Sequence, residues 1–436
     1  MFYRFFNLVI LALRYLYRNR RRYLFLLAAL SFGFGVVTVI TSLKDGMDHS
    51  VYRAAQSHYA GDIVVAGYDN DSKTQFRTTE AELILEAVSA ARLDPSLIVR
   101  RTMLGGKGIL YFNGTPVRQK YILGVDWENE KEYLQGLPYT KEGFIFPEEP
   151  GGIIISLTSS REMGARLGDR VILEVETRTG QKNTGSFTVM GVVRDSGIFG
   201  TFKSYIALDE LNRLMSFGPG DCSSVGIFLK ETGNLEEKTR RLQEELEKRV
   251  PMGPLVSDRD ELARESKEKW DGIRHFIVTI PVYLSEVAEL LTALEVIAYF
   301  LYAMMLLIIL VSVSVTYRLI LHERLLELGT MRVLGFFESD LRQVLILELF
   351  FLCVVSLFVG FAAARLAAWG ISFMSFSYIP SFEIFMSEGR LKALFLFRTT
   401  LVNVAAVMGV LLPVVWFPAF RTSRGSLPEM LSGGNL

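Results

Sequence analysis

Four long apolar runs divide this chain, and between the first and second lies a stretch with the alternating pattern of a soluble domain. The first run, Leu24–Leu43, carries no charge over about twenty residues, enough to cross the hydrocarbon core as a helix. The second, Ile280–Val315, is longer than one crossing needs. As a single helix it measures about 54 Å at about 1.5 Å per residue, against about 30 Å of hydrocarbon. Its outer part, with Glu286, Glu289 and Glu295, is therefore expected to project as a stalk, with Pro281 at its start or at a kink. The third run covers 343–374, with Glu348 near its inner end and Arg365 near its outer end. The fourth covers 399–420, with Pro413 and Pro418 near its inner end. Glu348, Arg365 and Arg398 all fall near span ends, where a long side chain reaches the interface cheaply. They are read as snorkelling charges rather than an ion pathway.

The segment before the first run holds Arg4, Arg14, Arg18, Arg20, Arg21 and Arg22 and no acid. Positive charge beside a span keeps that side in the cytoplasm. The spaced apolar residues fit an amphipathic helix in the interface. The first run is longer than the apolar part of a signal peptide and lacks a small-residue cleavage site, so it reads as an uncleaved anchor. Four crossings return both termini to the cytoplasm. The predicted organisation is an interfacial helix (1–23), a first span (24–43), an extracytoplasmic α+β domain (44–279), a stalk with the second span (280–317) and a cytoplasmic loop (318–342). A third span (343–374), a short outer loop (375–398), a fourth span (399–420) and a cytoplasmic tail (421–436) complete it.

Within 44–279 the pattern turns to strands. Gly61–Ala66 reads as a strand start, and Leu97–Val125 as strands broken at Gly105-Gly106 and Asn113-Gly114. Arg170–Thr177 alternates, with Val171, Leu173 and Val175 on one face, and its hairpin partner is Ser186–Val193 after a turn in Gly180–Gly185. Ser224–Leu229 is a strand before a charged helix at 235–250, and a β-α-β unit is expected to close at Leu255-Val256. Asp260–Arg274 reads as helical.

Half of the 436 residues are hydrophobic and the formal net charge is zero, so no global field points to nucleic acid. Cys222 falls in the soluble insert and Cys353 inside an apolar run, which argues against a disulfide between them. The four histidines, His49, His58, His275 and His322, are scattered and form no zinc pattern. No phosphate-binding G-x-x-x-x-G-K-[ST] loop occurs, and Gly105-Gly106-Lys107-Gly108 lacks both its spacing and its hydroxyl. Leu431–Asn435 (LSGGN) has the letters of an ATPase signature without a domain around it, and Asn113-Gly114-Thr115 is a bare glycosylation sequon.

The loop 318–342 is too short to fold alone, yet it holds Glu323, Arg324, Glu327, Gly329, Arg332 and Gly335 between two spans. This resembles the coupling loop of the FtsX-like ABC permeases, which include the lipoprotein-release (LolCE) and MacB-type proteins. The usual form there is E-R-x-x-E-I-G-x-x-R-A-x-G with a later Glu. The chain matches it at those six positions and at Glu348, and departs at Leu328 and Val333. The stretches Gly151–Val175 and Phe187–Leu214 resemble the MacB-type periplasmic core domain, with Gly168-Asp169-Arg170-Val171 opening a strand and an exposed loop following Gly191–Val193.

The resemblance implies a four-span helical membrane protein of the bacterial inner membrane, with the α+β core domain on the periplasmic side. It implies a non-catalytic permease subunit, paired with a second copy or a paralogue. ATP and magnesium would be held by a separate cytoplasmic ATPase dimer. Glu323, Arg324, Glu327 and Arg332 are expected to make charge-assisted contacts to that ATPase, with Gly329 and Gly335 permitting bends. The alternative is that these charges only keep a short loop wet and set topology.

The words Ala12-Leu13-Arg14-Tyr15-Leu16, Lys44-Asp45-Gly46-Met47 and Gly61–Val65 resemble most the lipoprotein-release branch. Extracting three acyl chains costs on the order of 35 kcal/mol at about 0.8 kcal/mol per CH₂. Such a cargo would need an apolar shelter, for which Phe32, Val36, Ile40, Val287, Leu290 and Leu294 are the candidates, with membrane lipid alongside. A MacB-type exporter of peptides, toxins or glycolipids, an FtsX-like signal transmitter to a cell-wall hydrolase, and an anchored binding protein without an ATPase are the other readings.

Overall fold

The computed structural model describes residues 2–18, 20–69, 77–145, 151–177, 179–194, 200–218, 220–268, 270–376, 385–386 and 390–423. Leu431–Asn435, part of the exposed loop after Val193 and residues 377–384 and 387–389 of the expected outer loop lie outside them. The chain divides into a helical unit (Met1–Asp48, Leu291–Ser375, Leu391–Leu436) and a sheet unit (His49–Leu290, Phe376–Arg390).

The helical unit begins with α1 (Phe2–Arg18) and α2 (Arg20–Tyr59), the latter also supplying residues to the sheet unit. It continues with α10 (Ser285–Glu323), α11 (Leu325–Val333), α12 (Glu338–Ser372) and α13 (Phe397–Ser423). Among the described residues, α2, α10, α12 and α13 are the helices long and apolar enough to cross a bilayer. Each contributes to a common core: Tyr23, Leu26, Leu30 and Phe34 from α2, Ile309, Val313, Tyr317 and Ile320 from α10, Leu341, Leu345, Leu349 and Leu352 from α12, and Val407 and Leu411 from α13. The spacing of three and four residues is that of one helical face. The backbones of α2 and α12 approach so closely that a Cβ on Gly360 would lie 2.5 Å from the carbonyl oxygen of Ser31. Small residues at such crossings are how helices pack when lipid supplies no hydrophobic drive.

Polar groups gather at two levels of this bundle. One contains Tyr23 at the start of α2. The other lies eighteen to twenty-two residues further along, about 27–33 Å in a helix. There Asp45 accepts from Thr399 Oγ1 (2.7 Å), Asn403 Nδ2 donates to Thr41 Oγ1 (2.8 Å), and Lys44 pairs with Glu295 (3.2 Å). The separation matches the roughly 30 Å of a hydrocarbon core.

The sheet unit is built on β1 (Ile63–Asp69), β2 (Pro95–Phe112), β3 (Thr115–Val125), β4 (Tyr139–Phe144) and β5 (Gly152–Ser156). Beyond them come β6 (Arg170–Glu176), β7 (Lys182–Val193), β8 (Lys203–Ala207), β9 (Ser224–Leu229) and β10 (Ile273–Thr279). The first half of β2 completes an antiparallel sheet in the order β10-β1-β9-β2. One face of it is covered by α3 (Ala81–Ala90) and α7 (Leu235–Leu246), where Ile84, Val88, Leu242 and Leu246 meet Ile63, Val65, Val225 and Ile227. With a helix after its first strand and another after its third, this is the split β-α-β arrangement. The second half of β2 joins β3, β8, β5, β7 and β6 in a ring, since β6 pairs back with β2. Inside that barrel pack Val171, Leu173, Val175, Phe187, Val189, Ile153, Ile155 and Ile206, the alternate residues of their strands. Between β2 and β3, Asn113 and Gly114 both take positive φ (49° and 84°), the two-residue turn that matches strand twist.

Several sequence readings shift. The strand that closes the β-α-β unit is β10, not Leu255-Val256, which lie outside any strand. The helical reading of Asp260–Arg274 shrinks to α8 (Arg259–Glu265), because Gly272 takes a positive φ of 76° and the β-branched Ile273, Ile277 and Val278 follow. In the β6–β7 hairpin the N–H of Thr177 bonds to the Gln181 carbonyl, and β7 already begins at Lys182. Pro281 sits in the first turn of the short helix α9 (Ile280–Tyr283), where its missing N–H costs nothing. The segment Gly105–Gly108 forms a bulge in β2, with φ +67° at Gly106.

Candidate functional site

The predicted coupling residues lie on and around α11, between α10 and α12. Arg324 is the one residue separating α10 from α11, with φ −101° and ψ 2°. At the other end, the N–H of Phe336 bonds to the Met331 carbonyl and that of Gly335 to the Arg332 carbonyl, while Gly335 takes φ +97°. That pair of bonds with a left-handed glycine is a Schellman stop, and it explains why glycine stands there. Gly329 lies inside α11 and is buried. The bends fall at Arg324 and at Leu334-Gly335.

Arg324 is 1% exposed and turned into the bundle. Its Nη1 donates to Glu348 Oε2 at 2.5 Å and its Nη2 to Glu348 Oε1 at 3.2 Å. Nη1 also reaches the Tyr23 hydroxyl (2.8 Å), which in turn donates to Glu348 Oε2 (2.8 Å). Nε faces Glu327 Oε2 at 3.4 Å, and the guanidinium lies 5.1 Å from the centroid of the Tyr15 ring. Glu348 is equally buried, so it is paired within the bundle and does not snorkel. Two turns before Arg324, the buried Tyr317 hydroxyl has no hydrogen-bond partner among the described residues. Of the other expected coupling charges, Glu323 pairs with Arg22 (3.5 Å) and Arg332 with Glu338 (2.9 Å). α11 and the following turn expose the apolar side chains Leu326, Val333, Leu334 and Phe337, the last two 80% and 64% exposed, beside the polar Thr330.

Tyr23 carried no signal of a functional role in the sequence, and Glu348 only that of a motif position. The available clue was the carboxylate itself, since a charge inside an apolar run calls for a partner.

The six shelter candidates are divided between the units. Phe32, 70% exposed, with the half-buried Val36, Ile40 and Leu294, belongs to the helical unit, and Val287 and Leu290 belong to the sheet unit.

The sheet unit has a buried polar cluster of its own, on the outer face of the barrel. Arg101 and Glu130 form a buried ion pair there, and Arg101 Nη1 donates to the Ser57 carbonyl of α2 at 2.7 Å. The His58 ring packs edge-on against Tyr121, and burial lowers the His58 pKa well below the usual imidazole range. Lys203 lies beside them, its Nζ 4.9 Å from the centroid of the Tyr205 ring. Burial, with the positive charge of Arg101 adding to it, lowers its pKa to about 7. Cys222 is a buried free thiol whose pKa burial pushes up to about 12, and Cys353 is a buried free thiol of the helical unit. No group of three or more metal-ligating side chains occurs among the described residues.

Two family models match the chain. That of the MacB-like periplasmic core domain covers residues 24–244, more than half of it, and that of the FtsX-like permease C-terminal region covers residues 299–427. Among solved structures, the chain is similar to the periplasmic region of MacB from Actinobacillus actinomycetemcomitans. The identity is 13%, the match covers 53% of this chain and 95% of that one, and the TM-score is 0.32. No curated protein matches.

Proposed function

This chain belongs to the ABC permeases of the FtsX/MacB type, and we propose that within them it couples a separate cytoplasmic ATPase to movement of its sheet unit outside the membrane. In this reading α2, α10, α12 and α13 are the four spans, the sheet unit is inserted between the first and second of them, both termini are cytoplasmic, and α11 is the docking element. The chain itself is non-catalytic, and ATP and magnesium are held by the partner.

The observation that carries this reading is the surface of α11. Its charges are largely used within the chain, and Leu326, Val333, Leu334 and Phe337 are exposed apolar side chains on it and on the turn that follows. An apolar centre with a polar rim is the anatomy of a protein interface. Glu323, Glu327 and Arg332 would form its rim. The chain would act with a second copy or a paralogue, and the apolar stretches of α10 and α13, 11% and 18% buried, leave faces for lipid or for that partner.

The cargo we propose is lipoproteins, released from the outer leaflet of the inner membrane. Support comes from the three sequence words shared with that branch.

The test is purification of the full chain from membranes together with its ATPase, with mass spectrometry of bound lipids and proteins. The ATPase should co-purify, and Leu334→Glu or Phe337→Glu should abolish that while the chain still inserts. Impermeant labelling should reach a cysteine at Lys248 from outside but not one at Thr330. Absence of any ATPase, or outside labelling at Thr330, removes the reading. Bound peptides or glycolipids without lipoprotein would replace the cargo with that of a MacB-type exporter.

A further inference from the structure

The guanidinium of Arg324 is held at the joint between α10 and α11 by groups from three other parts of the helical unit. Glu348 comes from α12, Tyr23 from α2 and Tyr15 from α1, and Glu327 adds a contact from α11 itself. An apolar side chain at this position would hold the helices by packing, which has no preferred direction. A planar guanidinium with both Nη atoms on one carboxylate fixes direction as well as distance. The residue that joins α10 to α11 is therefore tied to α12, and the joint cannot be displaced without moving Glu348 or breaking the fork. Buried ion pairs contribute little net stability compared with apolar replacements. An orientation role accounts for this one better than stability does.

We propose that Arg324 is the positioning residue that makes α2 and α12 follow α11, with Tyr23 and Glu348 as its receivers. The proposal rests on the reading that an ATPase docks on α11. It assigns Arg324 to transmission inside the bundle, and leaves docking to the exposed apolar side chains.

The experiment uses the full chain with its ATPase in lipid nanodiscs. Spin labels on α2 and α12, at Phe32 and Phe358, report the separation of the two helices with and without ATP. ATPase affinity is measured on the same samples. Arg324→Lys keeps the charge but not the fork, and R324M/E348L replaces the pair by apolar side chains of similar volume. Both variants should bind the ATPase within about threefold of the native affinity, a margin of under one kcal/mol. Both should lose most of the ATP-dependent shift between the labels. A full shift in either variant overturns the proposal, as does a loss of ATPase affinity that parallels the loss of shift, because Arg324 would then act in docking. If the native chain binds no ATPase, the docking reading fails and the proposal with it. Should R324M/E348L not fold, Arg324→Lys decides alone.

Discussion

Arg324 and Glu348 stand 24 residues apart in the sequence and 2.5 Å apart in space, each 1% exposed. Removing one partner leaves the other charge buried and unpaired, at a cost of about 3–5 kcal/mol. Arg324→Ala and Glu348→Ala should each destabilise the chain by that order. R324M/E348L should cost far less than the two single changes added together. Thermal unfolding in detergent measures all of these, and strict additivity would contradict the pairing.

Gly360 and Gly370 lie in the same helix and should respond in opposite ways. A Cβ on Gly360 meets the Ser31 carbonyl oxygen at 2.5 Å, whereas one on Gly370 meets nothing within 4 Å. Gly360→Ala should force α2 and α12 apart and cost about 1–3 kcal/mol. Gly370→Ala should be neutral or stabilise by up to about 1 kcal/mol through helix propensity. Unfolding temperatures that move in the same direction for both would speak against the close crossing.

Tyr317 buries a hydroxyl with no partner among the described residues. Tyr317→Phe removes that group and keeps the ring in the core formed by Tyr23, Ile320 and Leu345. The variant should be as stable as the native chain or more stable by up to about 1 kcal/mol. A clear drop in unfolding temperature would mean that the hydroxyl has a partner.

Lys203 gives the sheet unit a pH dependence of definite sign. Burial lowers its pKa from 10.5 in the unfolded chain to about 7. Between those values the unfolded chain binds more protons, so stability rises with pH, by up to about 1.4 kcal/mol per unit. The gain is complete above the unfolded value and lost as the pH falls through about 7. Unfolding of the full chain should therefore shift upward between pH 7 and 9, and Lys203→Met should flatten the profile. An equally steep profile in that variant would assign the effect to another group.

Features that depend on near neighbours were legible in the sequence. The apolar runs show in composition, and the stop at Gly335 shows as a glycine after a short helical stretch. The Asn113-Gly114 turn and the alternation of β6 come from local backbone geometry and a period of two. β10 was hidden because its strand residues follow a helical, charged stretch and its partner β1 lies some 210 residues earlier, with Ile63 opposite Thr279. The closure of the barrel was hidden for the same reason, since β6 meets β2 only after β3 and β5 have been laid down.

The candidate site divides in the same way. The sequence by itself determined that Glu323, Arg324, Glu327 and Arg332 sit in a short segment between apolar helices. In the sequence Arg324 reads as a surface charge, and only the tertiary structure turned it inward, toward Glu348 on α12 and toward Tyr23, 301 residues away. Only the tertiary structure, too, selected the buried faces of α2, α10 and α12. A helix that is apolar on every side carries no 3.6-residue signal, because lipid and protein interior attract its side chains alike. Packing and a few polar contacts, rather than hydrophobicity, then choose which face turns inward.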